Sequence, residues 1–301
     1  MKKNFTFFLI LSVIIVLQPG CDDKTRKTIL VTPDNFIGFG WEKDQVNSMK
    51  PASPTPGCPT CPVCPAAPNT YTNYVSIVCG PVNSTSPDLS QGSVLIRLPK
   101  NEDSTLKRVR LRNNQYNGTF LSDITTLNYS TYIESTINFA SPVLALQIDI
   151  DGNADVDCNI YFDPRKQTRP PTKTGPGLPV KINVWQEWNC LIDTWELLIT
   201  STTSVSVSGK FTGIKNFSLA TFIKAFPKAR IINTITGDNA GGGIRFTVGG
   251  SSSDYDNFKG YIDAFEITTP FVCRCTTFPC VPAGDILYDF SCPKQVTDTI
   301  K

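Results

Sequence analysis

Val143-Leu-Ala-Leu-Gln-Ile-Asp-Ile-Asp-Gly-Asn-Ala-Asp-Val-Asp-Cys-Asn-Ile-Tyr-Phe162 is the stretch whose reading decides the fold. Leu144, Leu146, Ile148 and Ile150 recur at every second position, the period of a strand with one buried face. Gly152-Asn153 supplies turn chemistry, and Val156–Phe162 reads as the returning strand. Working outward, similar runs occur at Ser93–Leu98, Arg108–Arg112, Ser130–Glu134, Lys181–Glu187, Glu196–Thr200, Ala229–Thr236, Gly243–Val248 and Gly260–Thr268. Clusters of Gly, Asn, Asp and Pro separate them, and only Leu219–Ala225 has helical character. Many short strands between such turns predict an all-β antiparallel sandwich over residues 71–270.

The rest of the chain reads as appendages. Residues 1–21 place Lys2 and Lys3 before an apolar run from Phe5 to Leu17. That run matches a signal-peptide core and falls short of the roughly 20 residues of an easy membrane span. A cleaved leader and a retained N-terminal anchor both fit, and Gln18 and Pro19 suit a lipoprotein site at Cys21 poorly. Residues 22–50 carry no assignable fold, residues 51–70 are a Pro/Cys-rich linker, and residues 271–301 are a Cys-rich tail.

Proline density in the linker forces extended polyproline II, with about 3.1 Å per residue. Cys58, Cys61 and Cys64 therefore line one edge, roughly 9 Å apart, whereas a disulfide needs Cα atoms within about 7 Å. Neighbours in this row should not pair with each other. Cys79, Cys273, Cys275, Cys280 and Cys292 are the natural partners, with interchain pairing and a zinc site as rivals. Cys158 and Cys190 complete the disulfide candidates. Eleven cysteines suit an oxidising compartment, and removing the leader through Cys21 leaves ten, an even number.

A formal charge of +2 gives no global field for nucleic acid or an anionic membrane. Lys107, Arg108, Arg110 and Arg112 alternate with apolar residues and read as one solvated strand face. There is no histidine, which removes the commonest general base, the commonest transition-metal ligand and every Ser-His or Cys-His arrangement. Asn83, Asn117, Asn128 and Asn216 head glycosylation sequons, which matter only in a host that glycosylates exported proteins.

Four constellations carry candidate chemistry. Asp149, Asp151, Asn153, Asp155 and Asp157 crowd one turn, and like charges across a ladder destabilise it. Either water screens them in an Asp-rich turn, or a cation sits among them, and calcium suits an oxygen-only set. Trp185, Trp188 and Trp195 offer sugar-stacking rings or core. Core is expected for Trp185 and Trp195, which leaves Trp188 as the exposed, ligand-binding candidate. Glu187, Asp193 and Glu196 are the nearest approach to a glycosidase carboxylate pair. Gly241-Gly-Gly243, with Gly249-Gly250, lacks the following helix and Lys-Ser/Thr end of a phosphate loop and reads as turn glycine.

In their order along the chain, several pieces resemble concanavalin A-like (laminin G-like) jelly-roll domains. They are Gly92-Ser93 before an apolar strand, Gly118–Tyr132, the Asp149–Asp163 hairpin, Trp185-Gln-Glu-Trp188 with Trp195, Gly241–Gly250, and Phe258–Ile267. The resemblance implies an antiparallel jelly-roll sandwich, found in secreted bacterial proteins and in surface or capsid-associated proteins of large DNA viruses. Members range from lectins to glycan hydrolases, so the fold does not choose the activity. The Glu-x-Asp-x-x-Glu strand of catalytic relatives is absent. The expectation is a secreted or surface-anchored, non-catalytic module that binds a glycan or a surface protein, with calcium as a candidate structural ion. The alternatives are a structural virion component, a minor capsid protein tethered to a membrane through an uncleaved leader and making self or capsid contacts, and, last, a glycoside hydrolase.

Overall fold

The computed structural model describes residues 27–31, 41–47, 74–81, 92–99, 106–167, 180–198, 216–233, 242–250, 255–269 and 284–290. In chain order the strands begin with β1 (Lys27–Val31), β2 (Trp41–Asn47), β3 (Val75–Val78), β4 (Ser93–Leu98) and β5 (Leu106–Asn113). They continue with β6 (Thr126–Ser135), β7 (Val143–Asp149), β8 (Cys158–Phe162), β9 (Trp185–Asn189) and β10 (Thr194–Leu198). After β11 (Asn216–Ser218) comes one short helix, α1 (Leu219–Ala225), and then β12 (Arg230–Ile231), β13 (Ile244–Gly249), β14 (Phe258–Thr269) and β15 (Gly284–Phe290).

These strands form two sheets. The first holds seven strands: β14 pairs on one edge with β4 and β15 placed end to end, and on the other with β6, beyond which lies β9. β3 flanks β4, and β1 flanks β15 in a parallel pair. The second sheet runs β11-β10-β8-β7-β13-β5-β2, with β12 beside β7. Every pair of named strands except β1–β15 is antiparallel. Several connections cross between the sheets, as from β4 to β5, β5 to β6 and β13 to β14.

The alternation seen in the sequence sets the faces. Leu127, Tyr129 and Ile133 of β6 turn inward, as do Leu144, Leu146 and Ile148 of β7, and all are buried. β14 shows what happens when the phase must change. Phe258 and Ile262 face the core at even positions, whereas Phe265 and Ile267 face it at odd ones. A bulge between Asp263 and Glu266 absorbs the extra residue, with Ala264 at φ 49°, and Asp263 accepts the Ala264 N–H. The result keeps Phe258, Ile262, Phe265 and Ile267 inward, while Tyr261 faces the other side.

The two inner faces close on an aromatic core. Trp41 from β2 lies 5.7 Å from Phe265, 5.4 Å from Tyr288 and 5.4 Å from Phe290 of the opposite sheet, and 6.3 Å from Phe246 of its own. Tyr129 reaches across to Phe162 and Phe246. Burying about 200 Å² of one such ring at about 25 cal/mol per Å² contributes roughly 5 kcal/mol. α1 is capped by Ser218, whose Oγ accepts the Thr221 N–H, and ends before Pro227, with Leu219 and Phe222 buried.

Segments expected to lie outside the sandwich supply part of it. β1 and β2 come from residues 22–50, and β15 comes from the Cys-rich tail. β2 stands at the edge of the second sheet, so its charged residues are tolerated while Trp41 anchors it in the core. The leader, the Pro/Cys linker and the cysteines at 58, 61, 64, 273, 275, 280 and 292 lie outside the described residues. Among the described residues no helix is long and apolar enough to cross a membrane.

Candidate functional site

The acidic stretch forms a loop between β7 and β8, not two facing strands. Asp149 is the last residue of β7 and Cys158 the first of β8. Ligand atoms of Asp149, Asp151 and Asp157 all lie within 4.8 Å of one another. Asp149 is buried and acts as the loop's template. Its Oδ1 accepts the Gly152 N–H at 2.7 Å, and its Oδ2 accepts the Ala154 N–H at 3.0 Å. Two residues on this path take left-handed backbone, Gly152 at φ 89° and Ala154 at φ 71°. Asp157 Oδ2 accepts the Ile150 N–H at 2.7 Å. Asn153 donates from its backbone to Asp151 Oδ1, and its own Oδ1 accepts the Asp155 N–H. Asp155 is exposed, and its carboxylate is outside the converging trio.

A partner that the sequence could not reveal sits beside this loop. Arg230 of β12 donates through Nε at 2.9 Å and Nη2 at 2.8 Å to Asp149 Oδ2. The register explains it: Arg230 stands opposite Asp149 across the β12–β7 ladder, although 81 residues separate them. Burial pushes the Asp149 carboxyl up, but Arg230 and the two loop amides outweigh it and hold the group below its ordinary range. Asp157 goes the other way, raised by burial and by the negative charge of Asp151 and Asp149 despite the Ile150 amide. Repulsion from Asp151 and Asp149 thus still bears on Asp157, and a cation would relieve it. Calcium binds oxygen at about 2.4 Å, so one ion can bridge atoms separated like these. Asp149, Asp151 and Asp157 fit such an ion, whereas Asp155 stands outside the group.

The tryptophans exchange their expected places. Trp188 is 1% exposed and packs in the core, with Nε1 donating to Thr131 Oγ1 at 2.8 Å, so it cannot stack on a ligand. Trp195 is also core, with Nε1 donating to the Cys190 carbonyl. Trp185 is the half-exposed ring. The reason lies in parity: residues three apart on one strand point to opposite faces. Trp188 pairs with inward Tyr129, whereas Trp185 pairs with outward Tyr132. On that outer face Trp185, Tyr132 and Tyr261 form a row across β9, β6 and β14, with centroids 5.7 and 5.8 Å apart. Glu134 accepts from Tyr261 Oη at 2.7 Å and from Lys259 Nζ at 2.6 Å, which places polar groups beside the rings.

The carboxylates weighed for glycoside hydrolysis are dispersed. Glu187 is exposed on β9 of the first sheet, Asp193 is buried in the following turn, and Glu196 lies on β10 of the second sheet, paired with Lys166. Arg108, Arg110 and Arg112 of the basic run share one face of β5, where Arg108 and Arg112 are half-buried and Arg110 is buried, so the face is only partly solvated. Arg110 is 3% exposed, as is Arg245 on the neighbouring strand, opposite Arg112. β5 is flanked by β13 and β2, so its outward face lacks the freedom of an edge. Burial, together with Arg110, Arg112 and Arg108, pulls Arg245 down to about 10.

Cys158 and Cys190 are buried free thiols and leave the disulfide set, while Cys79 is exposed and has no partner among the described residues. Burial, then Asp157, pushes Cys158 up to about 12, and burial with Asp193 raises Cys190 well above its usual value. Gly242 and Gly243 are explained by close approach: a Cβ at Gly242 would lie 2.1 Å from the Asn113 carbonyl oxygen, and one at Gly243 2.6 Å from that of Ile232. No protein-family model, no curated protein and no solved structure matches the chain.

Proposed function

We propose that this protein is an exported, non-catalytic binding module with a concanavalin A-like jelly-roll fold, and that it recognises glycans. The observation that carries the reading is the aromatic row on the outside of the first sheet. Trp185 and Tyr132, both half-buried, offer ring faces and edges for the apolar side of a pyranose, with buried Tyr261 packed beside Tyr132, and Glu134 and Lys259 stand within reach of its hydroxyls. The jelly-roll assignment draws support from connections that cross repeatedly between the two sheets. Calcium, held by Asp149, Asp151 and Asp157, stiffens the β7–β8 loop as a structural ion. The test is a glycan array on the full chain, with and without chelator. Trp185→Ala should abolish the hits while leaving the fold intact. An array without hits, or hits indifferent to Trp185, would end the glycan reading.

A second reading, a structural component assembled through protein contacts, is favoured by one observation. Ile137, Phe139, Ile182 and Val184 are exposed, and all come from segments adjoining the same end of the β6–β9 pair. A concentration-dependent increase in mass, lost in Phe139→Ser, would support that alternative.

A further inference from the structure

Resting on the glycan reading above, we propose that Cys79-Gly80-Pro81 walls off one side of the aromatic row, so that the site takes the end of a glycan chain and not an internal stretch. The row follows one line of the register across the first sheet. Trp185 stands opposite Tyr132, Tyr132 opposite Tyr261, Tyr261 opposite Leu95, and Leu95 opposite Ser76 of β3. Residues paired in this way share a side of the sheet, so Leu95 points outward with the rings. Leu95 and Tyr261 are nevertheless only 4% and 8% exposed, and neither belongs to the core cluster between the sheets. Ser93 and Ser130, two residues along their strands from Leu95 and Tyr132 and so on the same outward face, are buried too. A cover therefore lies over this part of the outer face, whereas Trp185 and Tyr132 stay half-buried.

The chain leaving β3 supplies that cover. β3 ends at Val78, and β4, β14 and β6 lie between it and β9. Four strand spacings of about 4.8 Å make the crossing about 19 Å. Pro81 is only three residues beyond Val78, a reach of about 10 Å in extended chain. Its carbonyl nonetheless accepts from Trp185 Nε1 at 2.9 Å. The segment must therefore run nearly straight across the outer face from β3 toward β6, with the indole leaning in to meet it. Gly80 marks where it passes β4. A Cβ there would lie 2.2 Å from Ser93 Oγ and 2.9 Å from Ser93 Cβ, so only glycine lets the backbone come this close.

This strap acts on the site in two ways. It takes up the indole N–H, so Trp185 offers a ligand its ring and no donor. It also ends the usable row at Tyr132, because Tyr261 and Leu95 are closed off. A pyranose seated on Trp185 and Tyr132 has Glu134 and Lys259 on one side and the strap on the other. A second sugar placed toward β4 would overlap the strap. The glycan can continue only away from it, past β9, beyond which no strand lies among the described residues. One terminal residue is therefore read, and the rest of the chain trails into solvent.

The test uses the full chain and an array that presents each sugar both as a chain end and inside chains of increasing length, with the hits titrated by calorimetry. The expected hits share a terminal residue, and their affinity is flat from disaccharide to hexasaccharide. Gly80→Ala should lift the strap. Acrylamide quenching of Trp185 then rises, and longer chains gain about fivefold in affinity as Tyr261 becomes open to a second sugar. Adding Ser93→Gly removes the clashing side chain and should reverse both effects, which separates movement of the strap from misfolding. Wild-type affinity that climbs with chain length, with hits still lost in Trp185→Ala, would overturn the chain-end inference and leave the glycan reading standing. An array without hits would end both. Quenching of Trp185 unmoved by Gly80→Ala would overturn the wall whatever the array shows.

Discussion

Replacing Asp149 by Ala should unfold the β7–β8 loop's internal scaffold and cost the protein about 3–4 kcal/mol. The carboxylate accepts from the Gly152 and Ala154 amides and from both Nε and Nη2 of Arg230. Breaking a fully buried ion pair costs about 3–5 kcal/mol. Here the Arg230 side chain keeps 26% exposure and water recovers part of that loss, so about 2 kcal/mol is assigned to the pair. Each loop amide left without an acceptor adds about 1 kcal/mol. Urea denaturation followed by tryptophan fluorescence should move the midpoint down with an unchanged slope. In a double-mutant cycle with Arg230→Gln, the coupling between the two positions should be about 2 kcal/mol. A loss below about 1 kcal/mol, or strict additivity in the cycle, would refute the template role given to Asp149.

The same loop should respond to pH in two opposite ways. Asp149 is held low in the folded protein, so its contribution is complete above its unfolded value of about 3.9 and disappears as pH falls through the folded value. Asp157 is raised, so acidification from neutral pH first adds stability as the folded form takes up the proton. The stability difference between Asp157→Asn and wild type, from urea midpoints at several pH values, should accordingly shrink toward acid; a difference independent of pH contradicts the assignment. Trp188→Ala should lose roughly 3–5 kcal/mol as a core truncation, whereas Trp185→Ala should lose less than about 1 kcal/mol, and equal losses by thermal or urea melts would reverse their placement. In native protein Cys158 and Cys190 should resist alkylation near neutral pH and react on denaturation, and fast native labelling of either would place it outside the core. Gly242→Ala should cost about 2 kcal/mol or more by overpacking against Asn113, so a neutral melt would show that the backbone there is not pressed as described.

Much of the sandwich is legible because its central strands separate inside from outside residue by residue. β4 and α1 occur at their expected bounds, and β7 and β8 differ only by the short acidic stretch that becomes loop. β2 and β15 escape detection for different reasons. Trp41-Glu-Lys-Asp-Gln-Val-Asn47 is an edge strand whose charges hide a single aromatic anchor, and β15 is embedded in cysteine-rich sequence. Trp185 and Trp188 are both plausible on either face until strand register is fixed, because register depends on the partner β6. The convergence of Asp149, Asp151 and Asp157 is a local matter and is readable from spacing. Arg230 is not, since only the β12–β7 pairing brings it there.

The role given to the outer face of the first sheet is tested most directly by collisional quenching of tryptophan fluorescence. Three of the four tryptophans, Trp41, Trp188 and Trp195, are buried, and only Trp185 is half-exposed. Acrylamide should therefore reach one ring in the native full chain, and a glycan that binds should shield it in proportion to occupancy. Trp185→Phe should remove both the quenchable fraction and its protection. A bound glycan that leaves quenching unchanged, or several rings equally open to acrylamide, would contradict the account.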